Sequence, residues 1–185
     1  MSNEPLALVS VDQVRAIMPN APLKRINDSL PYMNAAMAEF KINTPERKAA
    51  FLAQIAHESV ELKYFEEIAS GRNYEGRRDL GNTQPGDGVR YKGRGPIQLT
   101  GRGNYRAVGQ ALGIDLENHP DRADDLDVCW RVAGHFWVSR KLNDLADNYA
   151  FEKITQRVNG GMNGYTSRCV FYNRALKAFG LEVQK

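Results

Sequence analysis

Apolar side chains in this sequence return every three or four residues through most of its length, and that periodicity commits the chain to helices. Val11, Val14, Ile17 and Met18 make one stripe, opened by the capping box Ser10-Val-Asp-Gln13 and closed by Pro19-Asn20. Ile26, Leu30, Met33, Met37 and Phe40 make the next, with Pro31 marking a kink or a fresh start. A helix resumes near Asn104 through Tyr105, Val108 and Leu112. Others span about 123 to 141 and about 148 to 158, and a last one carries Tyr165, Cys169, Tyr172, Leu176 and Phe179. With 185 residues, no internal repeat and no dividing linker, the chain reads as one mainly α domain over 1–185.

Between Ser70 and Gly103 the stripes give way to glycine, arginine and turn residues. Asn82, Gly86, Asp87 and Gly88 predict tight turns, hence a small irregular or hairpin segment around 72–103. Cys129 and Cys169 are too few for a disulfide framework and wrongly spaced for zinc, so both read as reduced core thiols. No stretch approaches the roughly 20 apolar residues of a membrane span. The acidic start, with Glu4 and Pro5, lacks the basic-then-apolar pattern of a secretion signal. Net charge is +3 and the pI near 8.9, compatible with any acidic polymer and selective for none.

The informative helix opens at Thr44, a good N-cap, with Pro45 in the first turn and Glu46 complementing the helix dipole. Its stripe of Phe51, Ile55, position 58, Leu62 and Phe65 predicts a helix running into the mid-sixties, and position 58 is Glu58. A carboxylate in an apolar stripe has two readings. It is neutralised by a buried cation, one of the many arginines, or burial keeps it protonated so that it can give a proton to a leaving oxygen. On the second reading, replacement by Gln leaves the fold at least as stable. His57 with Glu58 superficially resembles a zinc-protease pattern, but position 61 is Glu where a second histidine is needed, and no metal site is expected.

A two-carboxylate hydrolase needs a second acid, and Glu61, Glu66, Glu67, Glu75 and Asp87 are candidates. On a straight helix Glu67 would face away from Glu58, so it qualifies only if the helix ends first. Downstream, the run from Tyr91 to Tyr105 is rich in glycine. Gln98 and Thr100 alternate as in a strand and could point into one cleft, while Tyr91 and Tyr105 offer flat faces for stacking. The competing reading is a basic nucleic-acid loop, because residues 72 to 106 hold eight arginines or lysines against three acids.

Three ordered motifs, Ala53-Gln-Ile-Ala-His-Glu-Ser59, Tyr91-Lys-Gly-Arg-Gly-Pro-Ile-Gln-Leu-Thr100 and Val158-Asn-Gly-Gly161, resemble glycoside hydrolase family 19, and more closely its lysozyme-like phage and prophage endolysins. The similarity covers about residues 40 to 180. It implies a bilobal lysozyme-like α fold of the family 19 chitinase type with a cleft between lobes, inverting hydrolysis and no cofactor. Glu58 falls on the family's general acid, and Glu67, in the Glu66-Glu67 pair, matches the base of the lysozyme-like branch. Chitinase members place their base on a later loop. Thr100 matches the Ser or Thr that holds the attacking water. Tyr91, Gln98 and Asn159 match residues that contact sugar; Asn104 and Tyr105 align too, across a spacing altered by Gly101-Arg-Gly103.

The resemblance therefore implies an endolysin that cuts peptidoglycan between N-acetylmuramic acid and N-acetylglucosamine. It would act as a monomer with no separate cell-wall-binding module, no nucleic-acid partner and no stable membrane insertion. It would wait in the host cytoplasm and reach the cell wall once the membrane is permeabilised. A chitinase is the near alternative, and a non-catalytic peptidoglycan- or nucleic-acid-binding protein the more distant one.

Overall fold

The computed structural model describes residues 8–183, and every regular element among them is helical. In chain order these are α1 (Val11–Ile17), α2 (Leu23–Glu39), α3 (Pro45–Glu58), α4 (Asp87–Arg90), α5 (Arg102–Leu112), α6 (Leu126–Ser139), α7 (Leu142–Asp147), α8 (Phe151–Asn159) and α9 (Tyr165–Ala178), with short 3-10 turns at Arg72–Tyr74, Arg78–Leu80 and Pro120–Asp124. The acidic start at Glu4 and Pro5 lies outside the described residues. The chain divides into two compact units, Met1–Lys63 with Phe136–Lys185, and Tyr64–His135.

In the first unit the local rules hold closely. The Ser10 hydroxyl accepts from the Gln13 N–H at 3.2 Å while the Gln13 side chain accepts from the Ser10 N–H at 3.0 Å, the reciprocal box read from the sequence. The second helix continues through Pro31 rather than restarting there. The proline is exposed, and the buried face of Ile26, Ser29, Met33, Ala36 and Met37 supplies the packing that carries the helix past one missing hydrogen bond. Thr44 caps α3 by accepting from the Arg47 N–H at 3.3 Å.

Helix α3 is central to this unit. Every residue from Lys48 to Ala56 is buried, so burial runs round the helix rather than along the single stripe expected. Ala49, Ala50, Ala53 and Ala56 leave room for close neighbours; α9 packs along it, with α1, α7 and α8 completing its surroundings. Phe51 meets Trp137 edge-on at 5.3 Å. The short α7 has no counterpart in the sequence reading. It follows Lys141, which adopts φ +54, and it displaces the start of α8 to Phe151 from the expected 148.

In the second unit the segment around 72–103 is irregular, as expected, but no hairpin forms among the described residues. Pairing is limited to single antiparallel bridges between Glu66 and Arg94 and between Arg94 and Leu99. Side chains that replace a ladder hold this segment. Asn82 donates to the Tyr74 carbonyl and accepts from the Arg102 N–H, both at 2.8 Å. The buried Asp87 carboxylate accepts from the Thr83 and Gln84 N–H groups and pairs with Arg102 at 2.5 Å. Gly71 is required where it stands, because at φ +78 a Cβ there would lie 2.5 Å from the Gly88 carbonyl oxygen.

Several cations of the basic loop are paired within the unit. Lys92 pairs with Glu66, Arg77 with Asp79, Arg94 with Asp124, Arg102 with Asp87 and Glu117, and Arg106 with Glu117, while Arg90 donates to the Asn118 carbonyl.

Candidate active site

Glu58 is the last residue of α3, so the helix expected to reach the mid-sixties stops seven or so residues early. It stops in a Schellman arrangement: the Glu61 N–H donates to the Ala56 carbonyl at 2.8 Å and the Val60 N–H to the His57 carbonyl at 3.3 Å. The residue that must turn left-handed is normally glycine, whereas here it is Val60, at φ +50, followed by Glu61 at +57 and Leu62 at +60. Each left-handed non-glycine residue costs about 1–2 kcal/mol, so the surroundings must enforce this turn. The Ser59 hydroxyl donates to the Ile55 carbonyl at 2.7 Å and accepts from the Leu62 N–H at 2.8 Å, and Leu62 is fully buried. The N–H and side-chain amide of Asn20 bind both oxygens of the Glu61 carboxylate at 2.8 Å, which commits that candidate acid to structure.

At the end of α3, the Glu58 carboxylate is not the lone buried acid that the apolar stripe implied. Its side chain is 25% exposed, and its Oε1 accepts from the Arg168 guanidinium at 2.5 Å. Arg168, on α9, is only 2% exposed and makes two further bonds, to the Gln54 side-chain oxygen and to the Asn163 carbonyl at 3.3 Å. Gln54 in turn donates to Thr155 on α8 at 3.0 Å. The first of the two sequence readings, neutralisation by an arginine, therefore describes the ground state. The ion pair orients the carboxyl group by holding one oxygen, and among the described residues Oε2 takes no bond.

His57 does not touch this pair directly. Its Nδ1 lies 3.1 Å from the Ser167 hydroxyl, and its ring packs so tightly on Gly164 that a Cβ there would fall 2.4 Å from it. Burial, reinforced by Arg168 and opposed by Glu58, pushes its pKa below the usual imidazole value, so the ring stays neutral beside the arginine. Asn159 ends α8 with a buried side-chain N–H group that has no hydrogen-bond partner among the described residues. Such a donor suits a substrate carbonyl, as the resemblance implies for this position.

In the second unit the remaining candidate acids sort themselves by their partners. Glu66 is paired with Lys92, Asp87 with Arg102, and Glu75 accepts from the N–H groups of Gly86 and Gly88 at 2.7 and 2.8 Å. Glu67 is held differently, by neutral donors: Tyr74 gives its phenolic proton to Oε1 at 3.0 Å and the Gly93 N–H reaches Oε2 at 3.1 Å. The backbone agrees, since the Glu67 N–H donates to the Gly93 carbonyl at 2.9 Å. Glu67 is thus half-exposed and fixed in orientation by neutral donors, with no salt-bridge partner among the described residues, a setting suited to a base.

The neighbouring loop departs from the strand-like reading. Gln98 adopts φ +55, and its side-chain amide donates to the carbonyls of Phe65 and Gly95, so it shapes the loop rather than extending from it. The half-buried Thr100 hydroxyl donates to the Gln98 carbonyl at 2.9 Å, leaving its oxygen as an acceptor, and Asn104 donates to the Thr100 carbonyl at 2.7 Å. Tyr91 and Tyr105 are corrections to the expected stacking platforms. Both are 0% exposed, packed edge to face at 5.3 Å, with their hydroxyls donating to the Glu117 and Lys92 carbonyls. They form core, not sugar-contacting surface.

Sequence reasoning missed Arg168, Gln54, Thr155, Tyr74 and Gly93. Arg168 carried a usable signal: it lies three residues after Tyr165 and four before Tyr172, so it is a cation on the inward face of α9. Gln54, Thr155 and Tyr74 act through side-chain contacts that only the fold brings together, and Gly93 through its backbone.

The family model for family 19 glycoside hydrolases, described as chitinase class I, matches residues 28–146. A glycosyl hydrolase family 19 domain-containing protein of Haemophilus influenzae is 35% identical over 161 residues, which covers 70% of this chain and 78% of that protein. An Arabidopsis thaliana endochitinase is 40% identical over 128 residues, covering 68% of this chain but only 44% of its own length. Among solved structures, chitinase C from Streptomyces griseus superposes with a TM-score of 0.77 at 27% identity, covering 100% of this chain and 98% of that one. A bacterial family 19 chitinase gives a TM-score of 0.78 at 29% identity, with 96% and 97% covered. The mainly helical architecture, the matched span and the bacterial relative together establish that the chain belongs to glycoside hydrolase family 19 and is a chitinase-like glycoside hydrolase.

Proposed function

We propose that this enzyme is an endolysin that hydrolyses peptidoglycan between N-acetylmuramic acid and N-acetylglucosamine by inversion, with Glu58 as general acid and Glu67 as general base. The observation that carries the reading is the unlike setting of the two carboxylates: one on a guanidinium with an oxygen uncommitted, the other held by neutral donors alone. Glycan bound over the exposed face of Glu58 meets its uncommitted oxygen. The acid then carries its proton to the leaving oxygen, while Arg168 stays anchored by Gln54 and Asn163. Glu67 takes a proton from the attacking water, which the Thr100 oxygen helps to hold, and the orphan N–H of Asn159 binds a substrate carbonyl. The net charge of +3 suits a polymer whose peptide stems carry carboxylates.

On this reading the enzyme works as a monomer without a nucleic-acid partner, and is held in the host cytoplasm until the membrane opens. The second reading, a chitinase, is favoured by the endochitinase relatives. Digestion of purified peptidoglycan, borohydride reduction and mass spectrometry separates the two. Reduced muramic acid at the new ends, with loss of turbidity of outer-membrane-stripped cells, is expected. Cleavage of chitin oligomers with no muropeptides released overturns the endolysin reading.

A further inference from the structure

A concave site lies wholly within the first unit, between the start of α8 and the first two turns of α9. It is a cavity of about 580 Å³, which falls within the range of small-molecule sites. None of its lining residues belongs to the Glu58–Arg168–Gln54 network or is Asn159. Its walls are aromatic: Tyr149, Phe151, Tyr165 and Tyr172, with Phe151 and Tyr172 stacked face to face at 4.0 Å. Its polar groups are mainly planar amides and a carboxylate, among them Gln156 and Asn173, with Gln156 donating to Glu152 at 3.2 Å.

One atom in this wall is unexplained by the fold. Tyr172 is 4% exposed, and its hydroxyl, buried from solvent, has no hydrogen-bond partner among the described residues. Burial pushes that phenol up to about 12, so it keeps its proton and stands as a donor. Flat apolar faces beside amide groups match one ligand chemistry well: a pyranose ring with an acetamido group. The ring's C–H face stacks on an aromatic side chain, and its carbonyl and hydroxyls pair with the amides. Glu152 and Lys153 place one charge of each sign at the lining, which suits a neutral sugar better than an ion.

We propose that this cavity is an accessory, non-catalytic site that binds an N-acetylhexosamine unit of the glycan polymer and tethers the enzyme to it. The proposal rests on the family's glycan chemistry and not on the choice between peptidoglycan and chitin. Holding the polymer at a second point raises the local concentration of cleavable strand, an effect that long insoluble substrates show and short soluble ones do not.

The test uses N-acetylglucosamine, a monosaccharide with no bond to cleave, titrated into the wild-type protein and followed by amide chemical shifts. Saturable shifts are expected across residues 149–156, 165, 169 and 173. They should be lost in Tyr165→Ala and in Gln156→Ala, the latter an exposed substitution with little reach into the core. Turnover of insoluble polymer should fall several-fold in both variants, with hydrolysis of soluble oligomers unchanged. Absence of saturable shifts at these amides, unchanged polymer turnover after the shifts are lost, or equal losses on both substrates overturns the proposal. The titration reads out independently of catalysis, so failure of the acid and base assignments leaves it interpretable.

Discussion

Replacing Glu58 by Gln tests the ion pair and the chemistry together, and the structure reverses the sign expected from the sequence. If the acid were an unpaired buried carboxyl, removing its charge would leave the fold at least as stable. With Arg168 2% exposed and bonded to Oε1 at 2.5 Å, the substitution instead strands a buried guanidinium. Stripping one partner from a fully buried pair costs about 3–5 kcal/mol. Two features reduce that figure: the Glu58 side chain is 25% exposed, and Gln retains an oxygen where Oε1 stood. A charge-assisted hydrogen bond weakened to a charge–neutral one leaves about 1–3 kcal/mol. For a chain of this length that lowers Tm by about 2–4 °C per kcal/mol. Thermal unfolding of wild type, E58Q, R168M and the double variant at pH 7 isolates the coupling. In the Arg168→Met background the buried cation is gone, and E58Q should cost little. E58Q is also expected to abolish turnover. An E58Q protein as stable as wild type, or an equal loss in both backgrounds, refutes the reasoning.

Glu67→Gln is expected to lower kcat by about 10²–10⁴-fold with Tm little changed, since the single Gln oxygen can accept from the Gly93 N–H while its amide donates to the Tyr74 hydroxyl; a larger loss in Glu75→Gln or Glu61→Gln assigns the base elsewhere. Thr100→Ala should lower kcat more than it raises KM, and a pure KM effect would contradict water positioning. Val60→Gly should raise stability by about 1 kcal/mol, because the exposed valine occupies a left-handed site for which glycine is suited; calorimetry showing no gain removes the claim of strain. The guanidinium of Arg106, with help from Arg102, holds the Glu117 carboxyl down to about 2. The folded chain therefore keeps an anion that the unfolded chain would protonate from about pH 4.3 downward. Its contribution is full above pH 4.3 and lost as pH falls through 2, so the Tm gap between wild type and Glu117→Gln should close over that interval.

The helices were legible because their signals are local and redundant. Ser10 to Gln13, Thr44 with Pro45, and the spacing of the buried residues each state where a helix starts and which side faces in. The end of α3 was hidden because its Schellman turn uses Val60, a residue that carries no stop signal, and because Leu62 continued the helical spacing from beyond the helix. That one hidden boundary changed the site. It placed Glu58 at a helix end within reach of α9 and freed Glu67 from the face to which a continuous helix would have confined it. Tyr91 and Tyr105 misled for the opposite reason: aromatics between glycines look exposed, yet their hydroxyls close the backbone carbonyls of Glu117 and Lys92 and their rings form core. Arg168 was in view on an apolar face, but only the fold joined it to a carboxylate 110 residues away.

The central claim is that two carboxyl groups act on one glycosidic bond, one giving a proton while the other activates water on the opposite face of the sugar. The anomer formed first at the new reducing end, followed by ¹H NMR during digestion of a β-linked oligosaccharide before mutarotation sets in, tests it most directly. The α-anomer appearing first is the result expected of inversion. The β-anomer appearing first would mean a covalent glycosyl-enzyme route and would contradict the roles given to Glu58 and Glu67.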